Sequence, residues 1–283
     1  MPELPEVEVL ARHLQRLLPG KRIREVRVGR AKVIQPDSPA HFRQALVGAT
    51  FTGLTRRGKY LLFQLRRPKT RELFTLLGHL GMTGRMFLAR KTTPLPKHAA
   101  VVLDLGRDRF IYEDARYFGR LTLDLASVAR LGPEPLSADF QPETLGQALK
   151  RSRQAIKVKL LDQSLVAGVG NIYASEALFR ARIAPQKAAN RLTTTQVHAL
   201  WSAIRSVLTE AIDCGSTLPL NLAGGGSGGL FYFGLSPGET DYYAERLQVY
   251  DRAGAPCFQC QRPIRRQVQA ARSTFYCSHC QRK

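Results

Sequence analysis

Two Cys-x2-Cys pairs, Cys257 with Cys260 and Cys277 with Cys280, lie 16 residues apart within the last 27 residues of the chain. Few folds accept that spacing. Each pair makes a tight knuckle, and two knuckles at the base of a β-hairpin bring four thiolates into a tetrahedron around one ion, a zinc ribbon. Four cysteine ligands leave no open coordination position, so one zinc ion there is structural. Two disulfides are the alternative, which a reducing compartment disfavours; the fifth cysteine, Cys214, has no partner nearby in sequence, as expected of a chain kept reduced. From Glu245 onward eight Arg or Lys (Arg246, Arg252, Arg262, Arg265, Arg266, Arg272, Arg282, Lys283) face only Glu245 and Asp251. A basic ribbon reads as a phosphate clamp.

The bias extends to the whole chain, where 43 Lys and Arg oppose 22 Asp and Glu for a net charge of +21. Such a surface repels itself unless a polyanion neutralises it, and phosphate backbones do so while releasing condensed counterions. Nucleic acid is favoured over an anionic membrane. No apolar run approaches the roughly 20 residues a spanning helix needs, and residues 1–9 are acidic where a signal peptide is cationic. The expected location is the cytoplasm. With 283 residues and 44% hydrophobic composition the chain can bury two or three cores.

Residues 21–125 alternate short β-rich runs (23–28, 60–65, 101–105, 109–112) with Gly, Pro and charged breaks, which predicts a β-sandwich or barrel. One helix precedes them: Val7, Leu10, Ala11, Leu14, Leu17 and Leu18 keep helical spacing up to Pro19-Gly20. Beyond Leu131-Gly132-Pro133-Glu134-Pro135 the periodicity turns helical, over 142–150, 155–161, 172–181 and 194–214. The fold class is therefore α+β, with a β domain followed by a helical one. Gly168-Val169-Gly170-Asn171 lies between two helical segments, and is either a tight turn whose amides approach a phosphate or the corner of an ordinary helical hairpin. Residues 223–229, Ala-Gly-Gly-Gly-Ser-Gly-Gly, form a linker or a loop over a site. The expected domains are 1–130, 131–222, a Gly-rich capping loop or linker over 223–244, and the ribbon over 245–283.

The start of the chain reads Met1-Pro2-Glu3-Leu4-Pro5-Glu6. A small second residue permits removal of Met1, which frees Pro2 as a secondary amine. An α-amino group titrates near 8 against roughly 10.4 for lysine, so at neutral pH it offers on the order of a hundredfold more free base. Attack on a sugar C1′ gives an iminium with no N–H to lose, whose fixed positive charge acidifies the neighbouring sugar protons and drives elimination. Glu3 is placed to move protons. On their own, Pro2 and Glu3 are first of all a helix-start sequence, with proline in the first turn and acids facing the dipole. Lys59 follows Arg56 and Arg57 and precedes the apolar run from Tyr60 to Phe63. It is either a cation at a strand mouth or a solvated lysine.

Six stretches in order, Met1-Pro2-Glu3-Leu4-Pro5-Glu6-Val7-Glu8, Arg56-Arg57-Gly58-Lys59-Tyr60-Leu61, His79-Leu80-Gly81-Met82-Thr83-Gly84, residues 131–137, residues 166–174 and the cysteine ribbon, resemble the bacterial formamidopyrimidine-DNA glycosylase family across nearly the whole chain. The first two resemble that family more than its relative endonuclease VIII. The resemblance implies an N-terminal β-sandwich, a helix-two-turn-helix domain and the zinc ribbon, acting as a monomer on damaged double-stranded DNA with the target nucleotide flipped out, in a nucleoid-associated bacterial protein. It implies a bifunctional glycosylase and AP lyase that excises oxidised purines such as 8-oxoguanine and formamidopyrimidines and cleaves the strand by β,δ-elimination. By the same carry-over Pro2 is the Schiff-base nucleophile and Glu3 the acid near the deoxyribose. Lys59 donates a proton in the first elimination, Arg272 binds phosphate and donates in the second, and Glu6 is a supporting carboxylate. Met82, Arg116 and Phe118 match residues that fill the space left by the flipped nucleotide. His98, Arg153, Lys157 and Asn171 match phosphate-contacting positions.

Two departures stand out. After Lys97-His98 the family continues with Asp and His where this chain has Ala99 and Ala100, which removes two polar groups near the site and implies rearranged hydrogen bonding around the N-terminus. After residues 215–218, where the family shows a basic residue and an Asp, this chain has Pro219, Leu220, Asn221 and the Gly-rich stretch. Since that loop caps the extruded base while Pro2, Glu3 and Lys59 perform generic sugar chemistry, the change bears on lesion choice more than on activity. The same chemistry with a preference for oxidised pyrimidines, and a non-catalytic damaged-DNA binder, are the competing readings.

Overall fold

The computed structural model describes residues 2–216 and 246–282. They form two compact units, one of Pro2 and residues 6–129, the other of residues 3–5, 130–216 and 246–282. The Gly-rich 223–244 segment and most of the altered capping region lie outside the described residues.

Helix α1 spans Leu4–Leu17, beginning three residues before the apolar periodicity suggested. Pro5 falls in its first turn, where a missing N–H costs nothing. There follow β1 (Glu25–Val28), a 3₁₀ turn at Ala31–Ile34, α2 (Pro39–Leu46), β2 (Thr50–Arg57), β3 (Tyr60–Arg66), β4 (Leu73–His79), β5 (Arg85–Arg90), β6 (Ala99–Asp104), β7 (Asp108–Glu113), β8 (Arg120–Thr122) and α3 (Ala126–Ala129). The strands pair antiparallel in two four-stranded sheets, ordered β1-β6-β7-β5 and β2-β3-β4-β8. Alternation sends Leu61, Phe63 and Leu65 of β3 inward. Phe110 of the first sheet meets Phe63 and Phe51 of the second at ring-centroid separations of 5.4 and 6.3 Å. Val7, Leu10, Leu14 and Leu18 enter the same core. The first unit is thus a β-sandwich. Ala100 is fully buried in its core and Ala99 packs against it, so these two small apolar side chains complete the packing there.

The second unit carries α4 (Pro142–Lys150), α5 (Ile156–Lys159), α6 (Asn171–Arg180), a 3₁₀ turn at Ala189–Arg191, α7 (Thr194–Ser216), β9 (Arg265–Gln269) and β10 (Arg272–Tyr276). The helix expected over 155–161 shrinks to the single turn α5. It closes in i→i+3 turns, Leu161 N–H to the Val158 carbonyl (3.1 Å) and Asp162 N–H to that of Lys159 (3.2 Å), while its otherwise unpaired first amides reach the Lys187 (2.7 Å) and Pro185 (3.2 Å) carbonyls. Leu145, Ile156, Tyr173, Leu178, Leu200 and Leu208 form the core, together with Leu4. Buried Glu176 of α6 accepts the backbone N–H groups of Gln248, Val249 and Tyr250 at 2.8, 3.0 and 2.8 Å and so fixes the turn that leads into the ribbon. Gln281 Nε2 donates to the Ile183 carbonyl at 2.9 Å, anchoring the ribbon's far end. Among the described residues no helix is long and apolar enough to cross a membrane.

Candidate active site

The residues singled out in the sequence fall into two groups, one on each unit. In the sandwich, β2 and β3 are joined by the two-residue turn Gly58-Lys59, with Arg57 paired to Tyr60. Gly58 takes the left-handed φ of 55° that a tight hairpin demands of its first turn residue. Arg56 braces the turn from below: its guanidinium donates to the Gly58 carbonyl (3.1 Å) and to Glu8 of α1 (2.7 Å). Lys59 is therefore presented, half-buried, at a strand mouth. Beside it on β4, His79 pairs with Tyr60 and packs its ring at 4.7 Å from the tyrosine ring. Burial, with the Lys59 and Arg120 cations adding to it, holds its pKa down to about 4. Nδ1 accepts the Gly81 N–H at 3.2 Å, which leaves the proton of the neutral ring on Nε2. Pro2 is half-buried and Glu6 buried. Met82 and Phe118, which their chemistry would otherwise send into a core, are 45% and 53% exposed, and Arg116 is exposed between them in sequence. His98 lies just before β6, its carbonyl accepting the Asp114 N–H at 3.1 Å.

In the second unit Glu3 is 1% exposed. Its carboxylate accepts the N–H groups of Ile172 (2.9 Å) and Tyr173 (3.4 Å) in the first turn of α6. The glycines before α6 make room for this: a Cβ on Gly168, whose φ is +83°, would sit 2.6 Å from Leu4, and one on Gly170 would strike the Glu3 carboxylate. The anion at this helix N-terminus is thus the chain's own Glu3, and both glycines serve its close approach. Lys157, also 1% exposed, donates from Nζ to Asn171 Oδ1 at 2.6 Å. Burial lowers its pKa to about 8; Glu3 works against that shift and Arg272 with it. Asn171 donates from Nδ2 to the Ser273 carbonyl of β10 (2.9 Å) and shares a hydrogen bond with the Tyr250 hydroxyl. Glu3, Lys157, Asn171 and Tyr250 thereby form one polar cluster. Exposed Arg272 opens β10 directly after the hairpin turn, where Ala270 and Ala271 both take positive φ (47° and 58°). Arg153 is exposed ahead of α5.

The sequence reading left out His79, Asp114, Glu176 and Tyr250. His79 opens one of the quoted motifs; Glu176 and Tyr250 are single polar residues whose partners lie far away in sequence, and Asp114 joins nearby Tyr112, Arg116 and Gly119 to distant Thr83.

The sulfurs of Cys257, Cys260, Cys277 and Cys280 all lie within 4.8 Å of one another. Facing sulfurs are 3.9 Å (Cys257 to Cys280) and 3.5 Å (Cys260 to Cys277) apart, close to the roughly 3.8 Å edge of a thiolate tetrahedron with 2.3 Å metal bonds. No cysteine is disulfide-bonded. The four residues fit a metal ion, with Cys257 and Cys277 buried beneath it.

Residues 1–121 match the formamidopyrimidine-DNA glycosylase N-terminal domain and residues 131–219 the formamidopyrimidine-DNA glycosylase H2TH domain. A formamidopyrimidine-DNA glycosylase of Desulfitobacterium hafniense is 40% identical over 288 residues, covering 99% of this chain and 100% of that one. One of Halalkalibacterium halodurans is 39% identical over 291 residues, covering 100% of both. Among solved structures, a Lactococcus lactis Fpg variant in complex with Fapy-dG-containing DNA superposes with a TM-score of 0.85 at 32% identity, and L. lactis Fpg with abasic-site DNA with a TM-score of 0.84 at 31%. Coverage is 100% of both chains in the first case, and 99% of this chain and 100% of the other in the second. Matched end to end by relatives at this identity, the chain belongs to the formamidopyrimidine-DNA glycosylase family.

Proposed function

We propose that this protein is a monomeric, bifunctional DNA glycosylase and AP lyase that excises oxidised purines, 8-oxoguanine and formamidopyrimidines, from duplex DNA. The observation that carries the reading is the polar cluster that begins one residue after Pro2. A carboxylate, Glu3, is held rigidly at the start of α6 with Lys157 and Asn171 around it. A helix-start acid with no further task has no need of a buried lysine and two clearing glycines.

In this reading, Met1 is removed and the Pro2 amine attacks C1′ of the flipped nucleotide. The base leaves, and the ring-opened sugar is left as an iminium on Pro2. Glu3 moves the proton that ring opening requires. The positive iminium acidifies C2′–H, the 3′ phosphate leaves with Lys59 donating, and the 5′ phosphate leaves in the second elimination with Arg272 binding and donating. Glu6 supports the N-terminus electrostatically. Met82, Arg116 and Phe118 occupy the vacated duplex position, the two apolar side chains stacking and the guanidinium facing the orphan base. His98, Arg153, Lys157 and Asn171 take the flanking phosphates, which the net charge of +21 favours as a whole. Zinc is the ion that suits four thiolates, and it organises the ribbon without entering the chemistry. The division into 1–130, 131–222, 223–244 and 245–283 belongs to the same proposal.

Borohydride trapping on duplexes with 8-oxoguanine opposite cytosine or an abasic site tests this. A stable protein–DNA adduct is expected on both, and none with Pro2→Gly. Trapping on the abasic duplex alone would remove the lesion assignment and keep the proline chemistry. No adduct on either, from protein shown to lack Met1, would leave a non-catalytic binder.

A further inference from the structure

Met82 stands on the turn from Leu80 to Gly84, and Arg116 and Phe118 on the loop from Asp114 to Gly119. One buried group joins these segments. Asp114 is 0% exposed, and its carboxylate receives four donors. Oδ1 accepts the Thr83 hydroxyl at 2.7 Å and the Arg116 N–H at 3.1 Å, while Oδ2 accepts the Gly119 N–H at 2.9 Å and the Tyr112 hydroxyl at 3.2 Å. Thr83 adjoins Met82, and Arg116 and Gly119 bracket Phe118. The two segments touch backbone to backbone as well: a Cβ on Gly81 would lie 2.5 Å from the Gly119 nitrogen. Between Arg116 and Phe118, Tyr117 is held at a φ of +54°, a left-handed conformation that costs an ordinary residue about 1 kcal/mol. Bonds to Asp114 on either side, and the Arg30 guanidinium 5.0 Å over the tyrosine ring, keep it there.

We propose that Asp114 is the positioning residue of the wedge, locking the Met82 turn to the Arg116–Phe118 loop so that all three side chains enter DNA as one preformed body. This rests on the wedge role given to Met82, Arg116 and Phe118 above. Asp114 need not touch DNA, for it acts through the groups it holds. A carboxylate is required because an ionised acid accepts about four hydrogen bonds, whereas an amide offers two lone pairs and turns an N–H towards donors. Burial alone would raise its pKa, but the bonds from Gly119, Thr83, Arg116 and Tyr112 hold it below the ordinary aspartate value, so it is ionised at neutral pH. Preformed geometry matters at this step because a loose wedge pays its ordering entropy while the base pair is being opened.

The experiment compares single-turnover borohydride trapping on the 8-oxoguanine:cytosine duplex with trapping on a single-stranded oligonucleotide carrying an abasic site, where no partner strand leaves a void to fill. Asp114→Asn and Thr83→Val are each expected to lower the duplex-to-single-strand ratio of rates about tenfold, and Thr83→Ser, which keeps the hydroxyl, to restore it. Equal losses on both substrates, or no loss, would overturn the proposal. If Asp114→Asn does not fold, Thr83→Val decides alone. Phe118→Ala is run alongside: should it fail to show a duplex-selective loss, the wedge reading falls and takes this proposal with it. Should it show that loss while Thr83→Val does not, only the role of Asp114 falls.

Discussion

In the sandwich unit, Lys59, Met82, Arg116 and Phe118 themselves stand on turns above an apolar core, over supports such as Arg56, bound to Glu8 and Gly58, and the buried Asp114. In the helical unit the corresponding groups lie inside. Glu3 and Lys157 are each 1% exposed and Glu176 is 5% exposed, and every one is bound to backbone or amide groups drawn from distant parts of the chain. The first arrangement takes its precision from strand register and turn geometry, which cost little. The second takes it from buried charge, which costs desolvation and is tolerable only where partners are preorganised. The sandwich unit can therefore lose one of those four side chains with little effect on folding, while in the helical unit the loss of a buried charge changes stability as well as function.

The largest expected effect removes the most localised support. Chelating the metal, or Cys277→Ser, withdraws on the order of 10 kcal/mol of folding free energy from the ribbon. Loss of the β9–β10 signals in NMR and of DNA affinity should follow, while the sandwich core signals persist; simultaneous loss of both would show that the units do not respond separately. Next, Glu3→Gln keeps an acceptor for α6 but removes the proton carrier. Base excision in single-turnover assays should fall by about 10²–10⁴, and the thermal midpoint should fall as well, because the amide turns an N–H towards one of the two α6 donors.

The third expectation concerns a group of the sandwich site whose titration is displaced towards the acid range. With its folded pKa near 4 against 6.5 unfolded, His79 binds its proton first in the unfolded chain. Its contribution to stability is thus complete above pH 6.5 and is lost as pH falls towards 4, by about 3 kcal/mol in all. Denaturant titrations from pH 7 to 4 should show this slope, and His79→Asn should flatten it. Smallest, and most telling for the comparison, is Lys157→Met. Because burial lowers the pKa of Lys157 to about 8, its charged form destabilises the fold, and removing it should raise stability by about 1–3 kcal/mol while weakening DNA binding. A variant that is both less stable and weaker in binding would contradict the trade.

Legibility in the sequence follows the same division. The sandwich strands could be read because alternation is local: Leu61, Phe63 and Leu65 announce their inward face within five residues. The cysteine knuckles and the Gly58-Lys59 turn are local too. Lys157 was legible only through the resemblance, as a phosphate-contacting position, and its burial against Asn171 was not, because that partner is not visible from its neighbours. Glu3 read as a helix-start acid for α1, whereas the helix whose N-terminus it occupies begins at Asn171. Asp114 and Glu176 carry no periodic signal at all, and each became significant only when its donors converged.

Two amines compete for the central role. Pro2 is the proposed nucleophile, yet Lys157, with its pKa lowered to about 8 and Glu3 nearby, is a lysine whose depressed basicity suits imine formation. Mass spectrometry of the borohydride-trapped, nuclease-digested and proteolysed adduct separates them directly. The expected result is a deoxyribose remnant on an N-terminal peptide that lacks Met1, fragmenting to place the added mass on Pro2. A remnant on the peptide containing Lys157, with Pro2 unmodified, would contradict the proline mechanism.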